Sequence, residues 1–218
     1  KAADAAGLRR PGASRRPHKR VLIVCEGKKT EKRYFDALIA DLRLSGIQVE
    51  VVGDSPSAPK GLVQFAEKKA QAEGPPSRGG YAKIFCVFDR DTHETFDEAV
   101  SRVGNLNRST KFPAEIAAIV SNPCFEFWFI LHHRYLRAPF AAASGRTAAE
   151  NVVECLRAIE GYETYAKAIS EKHIHQLLPL TDQAVGNAGR ALADADMTGE
   201  PNPSTHVFKI INYLTKPE

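Results

Sequence analysis

The sequence predicts an α/β protein, a mostly parallel sheet with helices on both faces, continued by a C-terminal helical appendage. Three observations predict it. Short apolar runs of strand length alternate with longer segments whose apolar residues recur at helical spacing. Two of the runs lead into acids: Val21 to Val24, closed by Cys25, into Glu26, and Lys83 to Phe88 directly into Asp89. Acids there suit chemistry better than packing, because open α/β sheets carry ligands outside the carboxyl ends of their strands. Past Tyr135 the alternation stops and only helical patterns remain.

The elements follow in order. Residues 1–18, with Arg9, Arg10, Arg15, Arg16 and His18 among Ala, Gly and Pro, read as a flexible basic tail. That tail is either a phosphate-touching arm or a solubilising end. Val21 to Val24 is the first strand, a continuous apolar run of the kind buried in parallel sheets. Gly27, Lys28 and Lys29 form a turn, Thr30 is the expected N-cap, and a helix runs from Glu31 to Leu44. Tyr34, Phe35, Leu38, Ile39 and Leu42 are its apolar stripe, and Gly46 its stop. Ile47 to Val52 is a second strand. Gly61 to Glu73 is a second helix, ended by Gly74-Pro-Pro. Lys83 to Phe88 is the acid-tipped strand, Thr92 to Leu106 a third helix, and Glu115 to Val120 a fourth strand with Ser121-Asn-Pro-Cys as its turn. Phe125 to Tyr135 is an aromatic-rich helix. Ala138 to Arg146 is a loop. Helices are then expected at Thr147 to Ile159, Tyr162 to Ile169, Glu171 to Leu178, Leu180 to Ala193 and Thr205 to Leu214, with Ser204 or Thr205 capping the last. The organisation is thus a tail (1–18), an α/β domain (19–135) and a helical extension (136–218).

Composition narrows the function classes. The 218 residues are 43% apolar and 26% charged, ordinary for one globular core or one core with an appended lobe. A net charge of +4 permits a nucleic-acid partner without demanding one. Cys25, Cys86, Cys124 and Cys155 form no C-x-x-C pair, which argues for a reducing compartment and against structural zinc. No run approaches the roughly 18 apolar residues of a membrane span, and no apolar core follows the basic start, so the expectation is a cytoplasmic protein with no signal peptide. There is no P-loop motif, no zinc spacing around His173 and His175, and no Ser or Cys nucleophile motif.

The chemistry-bearing residues are acids. Asp89 and Asp91, two apart in extended backbone, share one face. If their strand neighbours the first, Glu26, Asp89 and Asp91 meet at one sheet edge as a magnesium site. The dull alternatives are a helix-dipole role for Glu26 and a turn or cap for the aspartates.

Strand-Glu26-Gly27, helix, strand, helix, strand-Asp89-Arg-Asp91 resembles the Toprim domain of topoisomerases, primases and small nucleases over Lys19 to Val120. Together with Glu-Gly-Lys-Lys-Thr-Glu, Ser-Asn-Pro-Cys-Phe-Glu-Phe-Trp-Phe-Ile-Leu-His and Asn-Pro-Ser-Thr, the chain after its tail resembles the RloB-like family, a single-domain Toprim group of restriction and abortive-infection loci. The resemblance implies a Toprim-like fold and a magnesium-dependent nuclease, manganese substituting, that cuts RNA (transfer RNA among the candidates) or DNA in antiphage defence. It implies an ABC- or AAA-type ATPase encoded nearby as a partner. Glu26 corresponds to the family's general acid/base or metal-binding glutamate and Asp89 and Asp91 to its magnesium aspartates. Glu31 lies close to where related nucleases place a further metal acid. The other class of reading is a non-catalytic Toprim-like subunit that docks onto nucleic acid or the ATPase.

Several residues stay open between two roles. Glu126 is either an exposed acid on a first helical turn or a carboxylate facing the cleft. Lys28 and Lys29 are phosphate-binding candidates, since an acidic site needs nearby positive charge to admit a polyanion. Lys167 either neutralises charge on phosphate or is a solvated helix lysine. Asn122 belongs to the candidate substrate-binding set. His132, nearly two turns after Glu126, either faces the same way or is a satisfied core histidine. Trp128 is either core or a base-stacking ring.

Overall fold

The computed structural model describes residues 19–56, 58–90 and 94–216. The basic tail and Asp91 lie outside them. Five strands and eight α-helices follow in order as β1 (Lys19–Cys25), α1 (Glu31–Leu42), β2 (Ile47–Val52), α2 (Pro59–Glu73), β3 (Tyr81–Asp89), α3 (Phe96–Arg108), β4 (Glu115–Asn122), α4 (Glu126–His133), α5 (Ala148–Arg157), α6 (Glu171–Leu177), α7 (Thr181–Thr198), β5 (Ser204–Thr205) and α8 (Phe208–Thr215). The sheet order is β2-β1-β3-β4-β5; the first four strands are parallel and β5 runs antiparallel to β4.

Every side chain from Val21 to Cys25 is fully buried, which requires cover on both faces of the sheet. Leu22 and Val24 point with Ile84, Cys86 and Phe88 toward α2 and α3. Val21, Ile23 and Cys25 point with Phe85 and Val87 toward α1 and the helices beyond β4. Each large apolar side chain so buried contributes about 1.5–3 kcal/mol. α4 is apolar all round and is enclosed accordingly: Phe127 to Leu131 are fully buried. Trp128 is among them, so it packs in the core and offers no face to a ligand.

The C-terminal extension packs into the same core, through Val152, Leu156, Ala184, Ala188, Ile210 and Leu214. It departs from the predicted helices at two places. Residues 162–169 are irregular, with Lys167 at φ 53° after Gly161 at φ 89°. Tyr162, Tyr165 and Ile169 are buried at helix-like spacing, but by a segment that folds inward without helical bonds. Ser204 and Thr205 pair with Asn122 and Ser121 as a strand and do not cap α8. The Thr205 and Ser121 hydroxyls share a 2.8 Å hydrogen bond, which satisfies both in the interior. α1 also ends early: Arg43, at φ 45°, terminates it ahead of Gly46.

All four cysteines are free. No helix of the described residues is long and apolar enough to cross a membrane.

Candidate functional site

The order β2-β1-β3-β4 puts a topological switch point between β1 and β3. From β1 the chain leaves through α1 on one face, and from β3 through α3 on the other. A crevice therefore opens at the carboxyl ends of these two strands, where open sheets bind ligands. Glu26 and Asp89 stand there. Cys25 is in register with Val87, and the Glu26 amide donates to the Val87 carbonyl at 3.1 Å. The Asp89 amide approaches the Glu26 carboxylate at 3.5 Å.

Two further acids enter the crevice. The Glu31 carboxylate, from the first turn of α1, lies over Gly27; a β-carbon at Gly27 would come within 1.8 Å of its Oε2. Glycine at 27 is thus what lets that side chain fold back. Burial pushes the Glu31 carboxyl up to about 7; Glu126 and Glu26 add to the rise, opposed by its backbone hydrogen bond and Lys167. Glu126, at the start of α4, is only 5% exposed, and the Tyr165 hydroxyl donates to its Oε1 at 3.0 Å. Cys124 lies close by: its thiol is pushed well above the usual range by burial, then by Glu126 and Asp89.

The segment around Lys167 roofs the crevice. The Thr30 hydroxyl donates to the Lys167 carbonyl at 2.9 Å and makes no cap to α1, contrary to the sequence expectation. Arg33 reaches the Ile169 carbonyl at 3.4 Å. Lys167 is consequently a loop residue above the acids rather than a lysine on a helix.

The structure therefore brings together Glu26, Asp89, Glu31 and Glu126, with Lys167 at the edge. Lys28 and Lys29 are exposed on the turn after Glu26, Lys28 in an ion pair with Asp54 at 2.9 Å. Asn122 ends β4 beside the crevice. His132 does not belong to it. It is fully buried, with Nδ1 2.9 Å from the Trp128 carbonyl and Nε2 3.4 Å from the Tyr34 hydroxyl. Burial pushes its pKa down to about 3, so it is a neutral core histidine. Tyr165 and Thr30 are site residues that sequence reasoning did not assign.

As a donor set, these carboxylates fit a hard cation that takes oxygen ligands. A divalent ion would favour the charged form of Glu31, which burial first and then Glu126 and Glu26 disfavour. Among the described residues no group of three or more His, Cys, Asp or Glu stands in metal-holding geometry.

Residues 21–214 match the profile of a family described as RloB-like protein. No curated protein and no solved structure matches the chain.

Proposed function

The chain belongs to the RloB-like family, and we propose that it is a Toprim-like, magnesium-dependent nuclease. It hydrolyses phosphodiesters of RNA, transfer RNA included, or of DNA, as the effector of a bacterial antiphage system. The observation that carries this reading is the gathering of Glu26, Asp89, Glu31 and Glu126 at the switch point between β1 and β3. Glu26, Asp89 and Glu31, with Asp91, would hold the magnesium, and manganese would substitute. The bound ion supplies polarisation of the phosphodiester and a more acidic water.

The chain's own residues do the rest. Lys28 and Lys29 draw the polyanion toward an otherwise acidic crevice. Lys167, above Glu31, offsets charge on the phosphate. Tyr165 fixes the Glu126 carboxylate through Oε1, so that it faces the crevice in one orientation. The defence setting, and an ABC- or AAA-type ATPase as partner, rest on the family resemblance.

The test is cleavage of RNA and DNA with magnesium or manganese. Asp89→Ala is expected to lower the rate by about a hundredfold or more. Equal rates in the two proteins would remove the assignment.

A second reading keeps the structural alternatives for these acids, a helix-dipole role for Glu26 and a turn or cap role for the aspartates. In it the chain is a non-catalytic subunit that docks onto nucleic acid or the ATPase. Calorimetric titration with manganese separates the two. Saturable binding that Glu26→Gln abolishes belongs to the nuclease; its absence belongs to the docking subunit.

A further inference from the structure

Beside the acids, the ends of β3 and β4 floor a groove that the hydrolytic reading leaves unused. It consists of two cavities of about 440 and 430 Å³, each within the range of about 300–1,000 Å³ typical of small-ligand sites. Both are lined by Arg90 and Asn122, so they meet at that pair.

The walls carry unused recognition groups. Asn122 is 7% exposed, and its side-chain amide has no hydrogen-bond partner among the described residues. An amide in a cavity wall offers both a donor and an acceptor to a ligand. His206 Nδ1, in the wall of the larger cavity, is likewise buried and unpartnered among the described residues. Burial holds its ring pKa down to about 4, so at neutral pH it offers hydrogen bonds and no charge. The Arg90 guanidinium lies over the Phe96 ring at 5.0 Å and has no ion pair among the described residues. Its backbone amide, bonded to the Ser121 carbonyl at 2.8 Å, fixes it against β4.

The chemistry differs between the centre of the groove and its far wall. At the centre the Arg90 guanidinium, without an ion pair among the described residues, adjoins Asp89 in the chain. The larger cavity is floored by Val120, Leu192 and Ala195 and bears the Asp196 carboxylate, which repels phosphate but accepts from the amino groups of a base. We propose that the groove binds two successive nucleotides of an unpaired strand, one base in each cavity and the linking phosphate on Arg90. A duplex keeps its bases stacked and paired and cannot fill the cavities. The position next to Asp89 gives this inference its meaning under the nuclease reading; the binding itself does not depend on that reading.

The experiment is fluorescence anisotropy in EDTA, so that no cleavage occurs, with the full chain. The probes are labelled single-stranded RNA and DNA of about 12 nucleotides, the matching duplexes, and a nucleoside monophosphate as competitor. The wild type is expected to bind single strands at least about tenfold more tightly than duplex, and more tightly than the monophosphate. Arg90→Gln removes the phosphate contact. Val100→Trp plugs the larger cavity from its rim, where Val100 is 40% exposed and replaceable without disturbing the core. Each should weaken single-strand binding by about tenfold with an unchanged melting temperature. The inference is overturned if duplex binds as well as single strand, if the monophosphate matches the strand, if both variants bind like wild type, or if the wild type binds no nucleic acid. Unchanged binding in both variants, alongside loss of cleavage in Asp89→Ala, would sink this inference and leave the nuclease reading standing. The opposite pair of results would do the reverse.

Discussion

Glu31 is the residue whose chemistry depends most on where the fold puts it. Its carboxyl ionises near 4.5 in an unfolded chain and at about 7 in the crevice. Between those values the folded chain binds more protons than the unfolded one, so stability falls as pH rises from about 4.5 to about 7 and is level above. Isolated, this effect amounts to at most about 3 kcal/mol. Glu31→Gln keeps the shape and removes the charge. By urea denaturation the variant and wild type should be equally stable at pH 4, and at pH 8 the variant should be more stable by about 2 kcal/mol. A constant difference across pH would show that the fold does not raise the ionisation of this carboxyl at all. At this scale the sequence was legible where a local pattern existed: apolar runs that end in Glu26 and Asp89 mark themselves. Tyr165 could not be found, because its partner Glu126 lies 39 positions upstream and the bond leaves no periodicity. Thr30 had the right residue type and position for a cap, but its hydroxyl serves a carbonyl 137 positions away. For His132 the helical wheel gave direction and could not give depth.

The turn from β1 into α1 is the element on which the crevice depends most directly. Gly27→Ala puts a methyl where the Glu31 carboxylate now lies, and the side chain, being flexible, swings away at little cost to the fold. The melting temperature should therefore move by no more than a few degrees, while cleavage should fall by about tenfold or more if Glu31 holds the ion. A large loss of stability with cleavage intact would contradict both halves. Elements with strong periodicity were placed closely from sequence: β2 matches its expected bounds, and α5 begins where Thr147 and Glu150 form their reciprocal cap. The segment 162–169 misled because three buried side chains at helical spacing do not require a helix. β5 was invisible because two residues carry no alternation, and only the unpaired edge of β4 makes a strand of them.

For the whole molecule, the sheet and the C-terminal helices are one cooperative unit. Ile210, Ile211 and Leu214 of α8 share a core with Val21, Ile23 and Phe85, and Tyr213 meets the Phe85 ring edge-on at 5.5 Å. A chain ended at residue 203 loses β5 and α8 and leaves that sheet face open. It should lose the sharp thermal transition and bind hydrophobic dyes, as partly packed states do. A cooperative melt within a few degrees of the full chain would mean that the last elements are dispensable. The alternation of strands and helices was enough to predict the parallel sheet. It could not show that the later helices close the same core, since packing between distant segments is written in no local pattern.

The four acids of the crevice come from positions 26, 31, 89 and 126, and their roof from 165 to 169. A ribosome that has released the first 130 residues has already made every one of those carboxylates, yet the segment that covers them is still to come. Under the nuclease reading, cleavage is therefore expected only from a chain whose last helices have emerged and packed.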